Sequence, residues 1–261
     1  MKQFNRLIHI AVIMVILLPL AGGLAAPAQQ TTTPQERARA LLDSLTPEER
    51  VGQLFLVTFN GPEAGARTPI YDLVVNHHIG GVILKASNDN FLAHDQTIAF
   101  AHSLARQLQS NEYTNSQQPQ SNQPGEASFT PAFIPLFIGL SQEGDGYPYD
   151  QILSAGMTQL PSQMAIGATW QPEMARQVGY VLGNELSALG FNLLLGPSLD
   201  VLESPYIEGK GDLGVRTFGG DPFWVGEMGR AYISGVHEGS EGEMAVIATH
   251  FPGYGSTDRL P

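Results

Sequence analysis

The chain has 261 residues, 43% hydrophobic and 15% charged, with 29 glycines, 18 prolines and no cysteine. That length suits one large domain or two small ones, and the lack of thiols excludes a disulfide framework and thiol lipidation. A formal net charge of −12 repels phosphate backbones and argues against nucleic acid as a partner, whereas a neutral polyol is indifferent to it.

Lys2 and Arg6, then an apolar run over residues 7–20 broken only by His9 and Pro19, read as a secretory signal. Small residues at 21–28 offer cleavage after Ala26 or Ala28. An uncleaved membrane anchor is the alternative, but the run is shorter than the ~20 residues a spanning helix needs. The expected plan is a signal over 1–28, a polar Thr-rich linker over 29–35 and one domain over 36–261. The product is expected outside the cytoplasm, secreted or periplasmic, with no stable membrane span after cleavage.

A helix is predicted from Pro34 through residue 42. A second starts at Thr46, which can cap, with Pro47 in the first turn and Glu49 completing a capping box. Leu41, Leu42, Leu45, Val51 and Leu54 recur near helical spacing and predict a face packed on a core. Short apolar runs at 54–59, 81–84, 134–140, 191–195 and 244–248 read as strands, with helices at 92–109, 172–189 and 222–238. Apolar strands alternating with helices imply a parallel α/β sheet covered on both faces, either flavodoxin-like or closed into a barrel. Residues 110–130, rich in Gln, Asn, Ser and Pro, are expected to be a surface loop, with a functional lid as the alternative.

Several candidates carry no chemistry. His77-His78 and His237-Glu238 lack partners at metal-ligand spacing and are expected at the surface, so neither metal nor cofactor is expected. Gly209 to Gly214 satisfies G-x-G-x-x-G but does not follow a strand, and there is no nucleophile elbow or P-loop.

Polar residues gather where strands end. The third strand runs out through Leu140-Ser141-Gln142-Glu143-Gly144, a segment that also reads as a plain Gly-rich turn. The fourth is followed by Pro197-Ser198-Leu199-Asp200-Val201, where Asp200 either caps a turn or reaches a ligand. Arg216 lies in Val215-Arg216-Thr217-Phe218-Gly219-Gly220-Asp221-Pro222, and its guanidinium can fork across adjacent hydroxyls. The fifth strand ends in Thr249-His250-Phe251-Pro252-Gly253-Tyr254-Gly255.

These segments resemble the signatures of family 3 glycoside hydrolases, R-[ST]-F-G-x-D-P and K-H-F-P-G-H-G, in a branch similar to the β-N-acetylhexosaminidases. The resemblance runs over residues 33–261. It implies a (β/α)8 TIM-type barrel, here incomplete with about five βα units, and a carbohydrate partner. It also implies retaining hydrolysis of O-glycosyl bonds in β-linked sugars through an aspartyl glycosyl-enzyme. Three letters differ: the family's D-x-E-G-G Asp is Ser141, its Lys is Thr249, and its second His is Tyr254. Serine shares one hydrogen bond but offers no charged acceptor lobes, and losing the lysine removes a charge and its donors. The resemblance puts the nucleophile beyond Pro261 and leaves Asp258 as the one catalytic candidate inside the chain. The expectation is an exported family 3 type glycosidase in partial or inactive form, or a non-catalytic sugar-binding relative. Arg216, His250, Ser141, Thr249 and Asp200 are expected to face the sugar.

Overall fold

The sheet is built from five short parallel strands: β1 (Leu56–Val57), β2 (Gly81–Ile83), β3 (Phe137–Leu140), β4 (Leu193–Ser198) and β5 (Ala245–Thr249). The computed structural model describes residues 33–91, 96–121, 128–142, 150–151, 156–204 and 213–253. The chain divides into a first unit, Met1–Asp43, and a second, Ser44–Pro261.

Helix α1 (Pro34–Ser44) buries none of its residues. It starts with a reciprocal cap, in which Glu36 N donates to Thr33 Oγ1 at 3.2 Å and Thr33 N donates to the Glu36 carboxylate at 2.7 Å. Helix α2 (Pro47–Gly52) opens on the expected capping box: Thr46 Oγ1 accepts from Glu49 N, and Glu49 Oε2 accepts from Thr46 N at 2.8 Å. Glu49 Oε1 also accepts from Ala132 N at 2.9 Å, so one carboxylate caps a helix and anchors the segment leading into β3.

The strands pair in chain order, β1-β2-β3-β4-β5, with Gly81 opposite Phe137, Gly139 opposite Leu193 and Leu193 opposite Ala245. A doubly wound sheet reverses its order at a switch point. Unbroken sequential order is the progression of a (β/α) barrel, and five strands in that order, the first four each followed by a helix, occur among the described residues. Val82, Ile138, Leu140 and Leu194 from the strands, with Leu84 just after β2, pack with Leu104, Leu108, Leu182, Leu186 and Val236 from the helices. Side-chain amides splint the strand starts. Asn192 accepts from Ile138 N at 2.7 Å and donates to Leu136 O at 2.9 Å, and Gln109 brackets Leu136 in the same way.

Helices α6 (Pro172–Ala188) and α7 (Pro222–Gly239) pack so closely that glycine is required at the contact. A Cβ on Gly179 would stand 2.1 Å from Tyr232 O, and one on Gly235 would stand 2.0 Å from Arg176 O. Gly183 and Gly239, one turn on, meet the carbonyls of Val236 and Tyr180 in the same way.

Four expectations change. Leu41, Leu42, Val51 and Leu54 are exposed, and only Leu45 of that predicted face is buried. Thr46 is extended, with φ −64° and ψ 161°, so the chain breaks between two helices and the apolar stripe does not continue. The helix expected at 92–109 is α4 (Thr97–Asn115), which runs into the polar segment because Glu112 and Asn115 turn inward. Helix α3 (Pro69–Val75), capped by Thr68, was masked by its short length. His78 is buried, 6.5 Å edge-on from Phe129, and desolvation lowers its pKa despite the neighbouring Glu49 carboxylate. His77 and His237 are exposed, as expected. No helix among the described residues is long and apolar enough to cross a membrane.

Candidate functional site

Where β4 ends, short helix α5 (Gln163–Gly167) grips it: Gln163 Nε2 donates to Ser198 O at 2.8 Å, and Ser198 N donates to Gln163 Oε1 at 3.1 Å. With its backbone held from both sides, Ser198 turns its hydroxyl onto Asp200. Ser198 Oγ donates to Asp200 Oδ2 at 3.0 Å, and Asp200 N reaches back to the same hydroxyl at 3.4 Å. This i, i+2 pairing is the local turn chemistry that Ser-x-Asp favours.

Asp200 is 3% exposed, and burial at that depth obliges a carboxylate to be partnered. The second partner is His250, whose Nδ1 lies 2.7 Å from Asp200 Oδ2 across the gap between β4 and β5. A proton on Nδ1 lets the ring donate to the carboxylate, which fixes the orientation of the imidazole. The other carboxylate oxygen faces Gly253. A Cβ there would stand 3.2 Å from Asp200 Oδ1, and φ of +102° already favours glycine. The peptide bonds Thr249–His250 and Phe251–Pro252 are cis.

Thr217 joins the long loop to this group. Its Oγ1 donates to Asp200 O at 2.8 Å and accepts from Gly219 N at 3.1 Å. Arg216, its neighbour, is 6% exposed, so it is not a solvated surface arginine. The loop then enters α7 through Asp221, whose Oδ1 accepts from Phe223 N and Trp224 N at 2.9 and 3.1 Å. Thr249 O accepts from Leu199 N, where the β4–β5 register shifts between Leu195 and Ser198. Thr249 Oγ1 is buried with no hydrogen-bond partner among the described residues.

Ser141 is half-buried just beyond β3, one strand away from the group, and its carbonyl accepts from Gln151 N at 3.3 Å. Gln151 Oε1 in turn accepts from Ala86 N at 2.8 Å, which ties the exits of β2 and β3 together. The structure therefore joins Ser198, Asp200, Thr217 and His250 directly. Arg216 and Thr249 adjoin them along the chain, and Ser141 stands on the same end of the sheet. Asp258, Tyr254 and Glu143 lie outside the described residues. Sequence reasoning passed over Gln163 and Ser198; the Ser-x-Asp spacing pointed to the second, and nothing local points to a glutamine 35 residues away. No group of three or more His, Asp or Glu that could hold a metal ion occurs among the described residues.

One buried carboxylate orients an imidazole, and an arginine and two hydroxyls stand beside it. That is a set of fixed donors and acceptors suited to an uncharged, hydroxyl-rich ligand.

The sequence profile of the glycosyl hydrolase family 3 N-terminal domain matches residues 46–260. Beta-hexosaminidase A of Pseudoalteromonas piscicida is 31% identical over 189 residues, 71% of this chain and 27% of its own. The beta-N-acetylglucosaminidase/beta-glucosidase of Cellulomonas fimi is 29% identical over 226 residues, covering 85% and 32%. Among solved structures, a glycoside hydrolase family 3 beta-N-acetylglucosaminidase from Paenibacillus sp. superposes with a TM-score of 0.64 at 30% identity. That match covers 82% of this chain and 34% of the other. The chain thus spans about a third of the length of these relatives.

Proposed function

The chain belongs to glycosyl hydrolase family 3, and on that premise we propose that it forms part of the sugar site of a hydrolase acting on β-linked sugars. N-acetylhexosaminides are the first substrate class and glucosides the second, the chemistries named for its relatives. The observation that carries this reading is the Ser198–Asp200–His250 chain of hydrogen bonds at the ends of β4 and β5. In barrel enzymes the strand ends are where substrates are held. Asp200 fixes the imidazole, and His250 and Arg216 meet sugar hydroxyls. Thr249 and Ser141 complete the wall with short neutral side chains. The charged N-terminal flank and apolar run of residues 1–20 support export from the cytoplasm.

Titration with N-acetylglucosamine tests this. Arg216→Ala or His250→Ala is expected to weaken binding by about 1–3 kcal/mol, the value of a hydrogen bond to a charged or fixed group. Unchanged affinity in both variants, measured by calorimetry, rejects the assignment.

A second reading, a sugar-binding chain without turnover, is favoured by one observation. Retaining hydrolysis needs two carboxyl groups about 5–5.5 Å apart. Among the described residues Asp200 is the carboxylate of the hydrogen-bonded group, and its Oδ2 is already engaged by Ser198 and His250. The 261-residue polypeptide is expected to bind the sugar and leave 4-nitrophenyl N-acetyl-β-glucosaminide intact. Turnover that follows the protein through purification removes the second reading.

A further inference from the structure

Both tryptophans of the chain lie in one aromatic cluster that the sugar site does not use. Trp170 packs edge-on against Trp224, with centroids 5.3 Å apart and planes at 87°, and Phe223 packs on Trp224 at 5.6 Å. Trp170 is 58% exposed and Phe223 65%, and Met174 nearby is exposed as well. An edge-to-face pair uses one face of one ring and one edge of the other, so broad ring faces stay open to solvent.

The cluster is continuous with the site. In a parallel sheet the following helices run back along the strands, so their N-termini lie at the strand ends. Trp170 lies on the connection from β3 to α6, and Phe223 and Trp224 form the first turn of α7 after β4. Helix α5 clamps Ser198 through Gln163, and its next residue, Met164, donates from N to Val215 O at 3.0 Å. It then ends in the turn that carries Trp170, where Trp170 N donates to Gly167 O at 3.0 Å. A Cβ on Gly167 would stand 2.0 Å from Phe218 O, so this turn is seated on the Arg216 loop. That same loop leads through Asp221 into Phe223 and Trp224. Trp170 also holds φ at +55°, a left-handed conformation that large side chains rarely adopt.

We propose that Trp170, Phe223 and Trp224 form a stacking platform for further sugar rings of an oligosaccharide whose terminal unit occupies the site at Asp200 and His250. The inference rests on the sugar-site reading above. It narrows the ligand from a simple glycoside to a chain of β-linked pyranoses. Aromatic faces take the C–H face of a pyranose without demanding one hydroxyl pattern, which suits units beyond the one being recognised.

Because the tryptophans are confined to this cluster, their fluorescence reports on it alone. The test titrates N-acetylglucosamine and its β-1,4-linked tetramer into the wild-type chain, Trp170→Gly and Phe223→Ala, by calorimetry and by tryptophan emission. Glycine at 170 keeps the left-handed turn, and residue 223 is on the surface, so each variant removes a ring without forcing a new backbone. In the wild type the tetramer is expected to bind about three- to ten-fold tighter than the monomer, the range of one or two aromatic contacts. It alone is expected to shift the emission. Both variants are expected to lose that advantage and keep the monomer affinity. Equal wild-type affinities for the two sugars, or an advantage that survives in both variants, overturns the platform and leaves the sugar site standing. Tetramer binding without monomer binding removes the sugar-site reading and, with no terminal unit held at Asp200 and His250, overturns the proposal as well. Binding of neither removes both. Variants that bind the tetramer normally but associate less with themselves make the cluster a protein contact and overturn the proposal.

Discussion

Single residues here are defined by what their neighbours leave them. Asp200 is buried between a serine hydroxyl and an imidazole nitrogen, so its charge orients a ring rather than meeting water. Glu112 has the opposite environment. It is buried on α4, its Oε2 has no hydrogen-bond partner among the described residues, and burial raises its pKa to about 7, with the nearby Glu49 carboxylate adding to the rise. A backbone hydrogen bond from Ile134 offsets only part of this. The folded state therefore holds a proton that the unfolded chain, with an ordinary value of 4.5, releases. Stability from this group is complete below about pH 4.5 and is lost as pH rises through about 7, by on the order of 2 kcal/mol. Glu112→Gln is expected to flatten that loss. The difference in melting temperature between variant and wild type, followed from pH 5 to pH 8, should grow in the variant's favour. A difference that is constant across the range would show that Glu112 ionises normally.

At the level of elements, α6 and α7 are the tightest pair, and their contact makes opposite predictions for two glycines. Alanine is a better helix former than glycine by roughly 1 kcal/mol. Gly226, on the open face of α7, has nothing within 4 Å of a Cβ, so Gly226→Ala is expected to stabilise the protein by up to about that amount. Gly179 faces Tyr232 O at 2.1 Å from the same position, and both partners are helix backbone that cannot rotate away. Gly179→Ala must push the helices apart and is expected to cost about 2–3 kcal/mol despite the propensity gain. Urea unfolding of the two variants reads both signs. A stabilised Gly179→Ala would mean that the helices are not in backbone contact.

For the molecule as a whole, the governing feature is that β1 and β5 each have one strand neighbour among the described residues. Apolar side chains remain exposed along both: Phe55 and Leu56 at β1, Ile247 within β5, and Phe251, 99% exposed, just beyond it. A cavity of about 820 Å³ lined by Val51, Phe55, Val57, Leu73 and Ile79 opens beside β1. Unpaired strand edges flanked by apolar surface recruit other strands. The −12 charge opposes contact between copies but is screened beyond about 8 Å at physiological salt. Sedimentation velocity is expected to show association that grows with protein concentration and with salt, and Leu56→Lys with Ile247→Lys should return the chain to monomer. A wild-type chain that stays monomeric at every concentration and salt level would mean that these edges are covered.

The sequence alone determined the local pieces, because each is governed by neighbours along the chain. Thr46, Pro47 and Glu49 make the capping box that their spacing predicts, and Asp221-Pro222 starts α7 where expected. Apolar runs separated by helices specified a parallel sheet, and polar residues after strands four and five drew attention to the two exits that the structure joins through Asp200 and His250. Contacts across the chain were decided only by the tertiary structure. Alternation of elements is the same in a doubly wound sheet and a barrel, so the sequential strand order had to be seen. Periodicity predicted a buried face through Val51 and Leu54, yet burial depends on which neighbour is present to cover a side chain, and these two are exposed. The partnership of Asp200 with His250, 50 residues apart, and the clamp of Gln163 on Ser198, 35 residues apart, exist because β4, β5 and α5 end side by side. No spacing along a chain encodes such a meeting, since what brings those ends together is the packing of the strands and helices behind them.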